Sequence, residues 1–196
     1  MKKLIIKTAI ITVCVGLAFI GLLLGALSLF APKTMVKFFD GIGFDNFAKQ
    51  CSERAYEKSD DIVDLYDLIL RLDASKESQK TVEYVEEMFA NQKFDEFCAL
   101  MDVDGKITTK EYLSVKYVCA LVELNESQKA LDFSVQFVLD SGYTKYNPLR
   151  AMFNDLFINL DQEFKEKTAV AVVEVKNNLT VPEQIELINQ DILNKS

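Results

Sequence analysis

The sequence predicts an all-α chain: one transmembrane helix, then a small α-solenoid of helical hairpins. Three observations predict it. Thr8 to Ala31 are 24 uncharged, mostly apolar residues in a row. Beyond them, apolar residues recur at helical spacing between Gly, Pro and capping residues. The tetrapeptide Glu77-Ser78-Gln79-Lys80 returns as Glu126-Ser127-Gln128-Lys129, 49 residues later, each time opening a predicted helix. Repeated hairpins that bury their apolar faces on one another make a solenoid.

The organisation predicted is a basic flank (1–7), a membrane segment (8–31) and a helical domain (32–196). At ~1.5 Å per residue the apolar run reaches roughly 36 Å, enough for a ~30 Å hydrocarbon core. A cleaved signal peptide is the alternative. Its apolar region is typically ~7–15 residues and ends at small residues. Here the run is longer, and cutting after Ala31 would leave Pro32 next. An uncleaved signal anchor is therefore expected. Cys14 follows Val13 rather than a small residue, which argues against a lipoprotein. Lys2, Lys3 and Lys7 outweigh Lys33 and Lys37, so a cytoplasmic N-terminus and an extracytoplasmic domain are expected. Gly21 and Gly25 form a G-x-x-x-G, which lets membrane helices approach closely; a homodimer through this helix is one expectation.

Pro32 begins a short helix whose Met35, Val36, Phe38 and Phe39 are expected at the membrane interface. Gly41 and Gly43 end it. Residues 45–58 read as a helix with Phe47, Cys51, Ala55 and Tyr56 on one face. Ile62, Leu65, Tyr66, Ile69 and Leu72 mark an amphipathic helix, and Val82, Val85, Met88 and Phe89 the next, over 75–91. Phe94 and Phe97 open a short segment to Leu100. Thr108 and Glu111 make a capping box before Tyr112, Val115, Cys119 and Val122. A helix over 127–141 stops at Gly142. Asn147-Pro148 starts another, with Leu149, Met152, Phe153, Leu156, Phe157 and Leu160. Residues 168–175 are read as helix for want of a partner strand. Thr180 and Glu183 cap a last helix.

Charge narrows the function. All 30 acids lie beyond residue 37, against 17 of the 22 bases, a formal −13 there. Such a field repels nucleic acid and anionic lipid headgroups, and suits solubility or a basic partner. The chain has no His, which removes Ser–His and Cys–His catalysis and the commonest metal ligand. Cys51, Cys98 and Cys119 read as small apolar residues of helices, with a disulfide open to an exported domain. The carboxylate pairs Asp60–Asp61 and Glu86–Glu87 read as solvated faces. Asn125, Asn178 and Asn194 fit the glycosylation pattern, which matters only in a eukaryotic secretory route.

Residues 29–62 resemble one tetratricopeptide repeat. Met35, Val36 and Phe39 match its first helix, and Gly43, Ala48 and Ala55 match the glycine and small packing positions of its second. Pro32 and Asp60 depart from the pattern, and the 49-residue echo exceeds the family's ~34-residue period. Any antiparallel helix pair with small crossing residues would share these features. The resemblance implies a helical-repeat, protein-binding scaffold. Residues 100–111 resemble an EF-hand loop, with Asp102, Asp104 and Glu111 at ligand positions and Gly105 at the turn. Leu100 stands where the first oxygen ligand belongs and cannot coordinate. The favoured reading is a turn before a capped helix, with a calcium-responsive module as the alternative. The function expected is a membrane-anchored scaffold or adaptor, without enzymatic activity or cofactor. A subunit or enzyme whose site is invisible in sequence is the remaining alternative.

Overall fold

A computed structural model of the chain describes residues 2–102 and 108–141, with isolated helical positions at 173 and 177. These residues form eight helices and, among them, no strand. They are α1 (Lys2–Phe30), α2 (Pro32–Gly41), α3 (Asp45–Ser59), α4 (Ile62–Ala74), α5 (Ser78–Ala90), α6 (Phe94–Met101), α7 (Thr109–Glu123) and α8 (Ser127–Ser141). The helices expected after residue 142 and the turn at Asp104-Gly105 lie outside the described residues. Two structural units divide inside α4, between Leu68 and Ile69.

In the first unit, α1 carries a 21-residue stretch, Ile10–Phe30, of mean hydropathy 2.7. It is long and apolar enough to cross a membrane, and a signal sequence shares that character. Its last turns are built into protein. Leu24 packs against a cluster of Met35, Val36, Phe39, Ala48 and Cys51, and Ser28 is buried. The Lys58 ammonium on α3 donates to the Leu29 carbonyl, one of the orphan acceptors at the end of α1. Lys33 on α2 pairs with Asp64 at 2.6 Å, and the Ser52 hydroxyl donates to Asp67 at 3.0 Å.

The expected membrane-facing residues of α2 are thereby corrected. Met35, Val36 and Phe39 face the protein, because Leu24 and α3 cover them. Only Phe38 of that set is exposed. On α3 the buried face is Ala48, Cys51, Ser52, Ala55 and Tyr56, and Phe47 lies outside it. In the second unit, α7 packs on α5, α6 and α8. Its buried stripe is Leu113, Ser114, Tyr117, Val118 and Leu121, not the expected Tyr112, Val115, Cys119 and Val122. Nearly every face of α7 is apolar somewhere, so neighbours on three sides decide which face is covered. α5 starts at Ser78 rather than 75, because Lys76 (φ 57°) is left-handed and breaks the helix.

One turn recurs three times. After α2, Gly43 (φ 73°) lets Phe44 N–H reach the Phe39 carbonyl at 2.9 Å. After α4, Lys76 lets Glu77 N–H reach Leu72 at 3.0 Å. After α7, Asn125 (φ 62°) lets Glu126 N–H reach Leu121 at 2.8 Å. Each left-handed residue also donates three positions back, to Asp40, Asp73 and Val122. This closes the orphan carbonyls of the preceding helix and reverses the chain. Burial follows the same register. The helix before each turn buries Pro32, Met35, Val36 and Phe39; then Leu65, Leu68, Ile69 and Leu72; then Ser114, Tyr117, Val118 and Leu121. The helix after it buries Ala48, Ser52 and Ala55; then Thr81, Val85 and Met88; then Ala130, Ser134 and Phe137. The offsets are 33 and 49 residues, and α6 with the segment after it lies in the longer one.

Candidate functional site

The second unit holds a cavity of about 310 Å³. Helical spacing builds its walls: Phe133, Gln136, Phe137 and Asp140 of α8 fall at i, i+3, i+4 and i+7, and Lys110 and Ser114 of α7 at i and i+4. α5 contributes Phe89 and α6 contributes Phe94 and Asp95. The rings form a connected set: Phe89 meets Phe94 edge-on at 5.4 Å and stacks on Phe133 at 5.9 Å, and Phe133 stacks on Phe137 at 6.1 Å. Such offset and edge-on pairs add to their area burial.

One polar atom stands out on this wall. Ser114 is completely buried, and its Oγ has no hydrogen-bond partner among the described residues. Leaving a buried hydroxyl unpaired costs about 1–3 kcal/mol. The charged side chains of the lining are Asp95, Asp140 and Lys110, and Asp140 accepts from Gln136 at 2.8 Å. The lining thus combines four phenylalanine rings with polar side chains of net negative charge, and the Ser114 hydroxyl is buried and unmet. It suits holding an apolar group beside polar atoms.

Beside these rings, Glu86 Oε1 receives the Tyr117 hydroxyl at 2.6 Å and Lys129 at 2.8 Å. The Lys129 contact, then the Tyr117 hydrogen bond, hold the Glu86 carboxyl below its ordinary range. Burial, then the Glu86 contact, push the Tyr117 phenol up to about 12. Burial and the nearby Asp102 and Asp95 push the Cys98 thiol up to about 11. A thiol so raised is a poor nucleophile at neutral pH. All four cysteines are free, and Cys51 is fully packed.

The carboxylates singled out in sequence have local duties. Asp102 Oδ1 accepts from the Thr109 amide at 2.6 Å and its hydroxyl at 2.7 Å. Glu111 Oε2 accepts from Thr108 N–H at 3.0 Å while Thr108 Oγ1 accepts from Glu111 N–H at 3.1 Å, a complete capping box. Asp104 lies outside the described residues. Among those described, no cluster of three or more His, Cys, Asp or Glu could hold a metal ion. Gly21 and Gly25 lie on the exposed surface of α1, where an added Cβ would meet nothing within 4 Å.

Phe89 and Phe94 are legible in sequence as helix residues, but their meeting with Ser114, Phe133 and Phe137 is not, because the five come from four helices. The spacing of Phe133, Phe137 and Asp140 was the available signal. Comparison with protein-family models, with curated proteins and with solved structures finds no match for this chain.

Proposed function

We propose that the chain is a membrane-anchored helical-repeat adaptor, similar to tetratricopeptide-repeat scaffolds, that holds a segment of a partner protein. The observation that carries this reading is the threefold recurrence of one turn with one burial register, at Gly43, Lys76 and Asn125. Repeats of this kind gain their stability from neighbours and leave extended surfaces for binding. The cavity lined by Phe89, Phe133 and Ser114 is the proposed seat of the partner. α1 is read as an uncleaved anchor with the N-terminus cytoplasmic and the helical domain outside, supported by Lys2, Lys3 and Lys7. The exposed Gly21 and Gly25 suit a second copy of α1 as partner within the membrane.

Site-directed photocrosslinking of the full chain in its own membranes tests the adaptor reading. A crosslinker at Gln136 should trap a discrete partner, and Phe137→Asp should abolish the product. A crosslinker at Gln136 that traps nothing beyond lipid would remove the adaptor reading. Protease treatment of intact cells tests the orientation: the domain should be cut without lysis.

A further inference from the structure

Phe38, Ile42, Phe44 and Phe47 are 45, 51, 52 and 51 % exposed. They lie around the turn between α2 and α3, and the three phenylalanines are linked in a chain of ring contacts that runs through Phe39. Phe38 meets Phe39 at 5.5 Å, Phe39 stacks on Phe47 at 5.3 Å, and Phe47 meets Phe44 at 6.1 Å. A contiguous exposed patch of large apolar side chains marks an interaction surface.

Its height along α1 is set by packing. Leu24 lies seven residues before Ala31, about 10 Å back along the helix at ~1.5 Å per residue. Leu24 packs on the cluster that contains Phe39. So α2 does not continue away from α1; it doubles back beside its last turns. The α2 start points the other way, where Lys33 pairs with Asp64 and Lys58 caps Leu29. The aromatic turn is therefore level with the interior of the apolar stretch Ile10–Phe30.

We infer that Phe38, Ile42, Phe44 and Phe47 enter the lipid bilayer beside α1, so that the α2–α3 turn is a second, interfacial membrane contact. The inference rests on α1 spanning the membrane. The occupant is lipid because the cluster beneath the patch packs on Leu24, inside the apolar stretch of α1 that the span reading places in the bilayer. The side chains are Phe and Ile, without the polar tip of Tyr or Trp. They suit the upper acyl chains beneath the headgroups. Two contacts hold the first unit at a fixed tilt to the membrane, where a single span would let it swivel.

The chain contains no Trp, so each substitution creates a sole tryptophan, excited selectively over the seven tyrosines. The full chain is reconstituted in phosphatidylcholine vesicles brominated either high or deep on the acyl chain. Phe44→Trp should emit blue-shifted light and lose most of it in the high-brominated lipid. Phe47→Trp should behave alike and guards against misfolding of the first variant. Val63→Trp, exposed near Asp64 at the other end of α2, should be quenched far less. Leu17→Trp reports α1 itself and should be quenched by deep bromines. If Leu17→Trp is quenched and neither turn variant is, the inference falls and the span stands. If Leu17→Trp is unquenched, the span reading fails and the inference with it. Blue-shifted turn emission without bromine quenching would assign the patch to protein, a second copy included, and overturn it.

Discussion

Tyr117 on α7 donates its phenol to Glu86 Oε1 on α5 at 2.6 Å. The same oxygen receives Lys129 of α8 at 2.8 Å. Lys129 also lies 5.9 Å from the Tyr117 ring centre. One carboxylate oxygen thus ties three helices of the second unit at the edge of the aromatic set. The Glu86 hydrogen bond, foremost, raises the Lys129 pKa, as the same contact lowers that of Glu86.

Glu86→Gln should destabilise the fold at neutral pH by up to about 1 kcal/mol, since the pair is half exposed and screened. A carboxyl whose pKa is lowered by folding stabilises the protein above its unfolded value. That contribution is lost as pH falls through the folded value. Urea unfolding should therefore show the wild-type advantage at neutral pH and its loss in acid below the ordinary value of 4.5. An advantage unchanged in strong acid would exclude the carboxylate as its source.

Tyr117 should ionise well above the ordinary tyrosine range. Its phenol is raised from 10.0 to about 12, so the folded state holds the proton more tightly. The stability this gives is complete below the unfolded value and disappears as pH rises towards 12. Carbon-13 tyrosine spectra should show the Tyr117 resonance titrating well above the ordinary 10.0, and moving down in Glu86→Gln.

Gly43→Ala should cost about 1–2 kcal/mol, because a Cβ in the left-handed region meets its own backbone. Space is not the reason: nothing lies within 4 Å of that Cβ. The reverse change, Lys76→Gly, should stabilise the turn after α4 by up to a similar amount, since φ is 57° there. Asn tolerates this region, so Asn125→Gly should gain less. Thermal melts of the three variants check the order. Equal effects would remove the common-turn account.

Thr108→Ala should lose about 1 kcal/mol with the N-cap of α7, roughly 2–4 °C in melting temperature. Calcium near ~1 mM should add little. A site with Kd of that order contributes about 0.4 kcal/mol, and Glu111 is already engaged as a cap. A rise of several degrees, abolished by Glu111→Gln, would favour the calcium-responsive reading.

Much of the architecture was legible in the chain because it depends on local physics. Thr8–Ala31 announces a membrane-competent helix by length and absence of charge. Thr108 and Glu111 announce a helix start because their hydrogen bonds span three residues. The bounds of α3, α4 and α8 follow from apolar period and from Gly43, Asp61 and Ser127 nearby. What lay beyond sequence depended on which neighbours arrive. α7 has apolar residues on more than one face, so α5, α6 and α8 select Leu113, Tyr117 and Val118 over Tyr112 and Cys119. Phe39 and Phe47 look alike in sequence, yet Leu24 covers the cluster of one and leaves the other exposed. The 33-residue offset was hidden because Gly43, Lys76 and Asn125 share a backbone angle and not a side chain. Ser114 became conspicuous only when burial met an absent partner, a condition that no single helix contains.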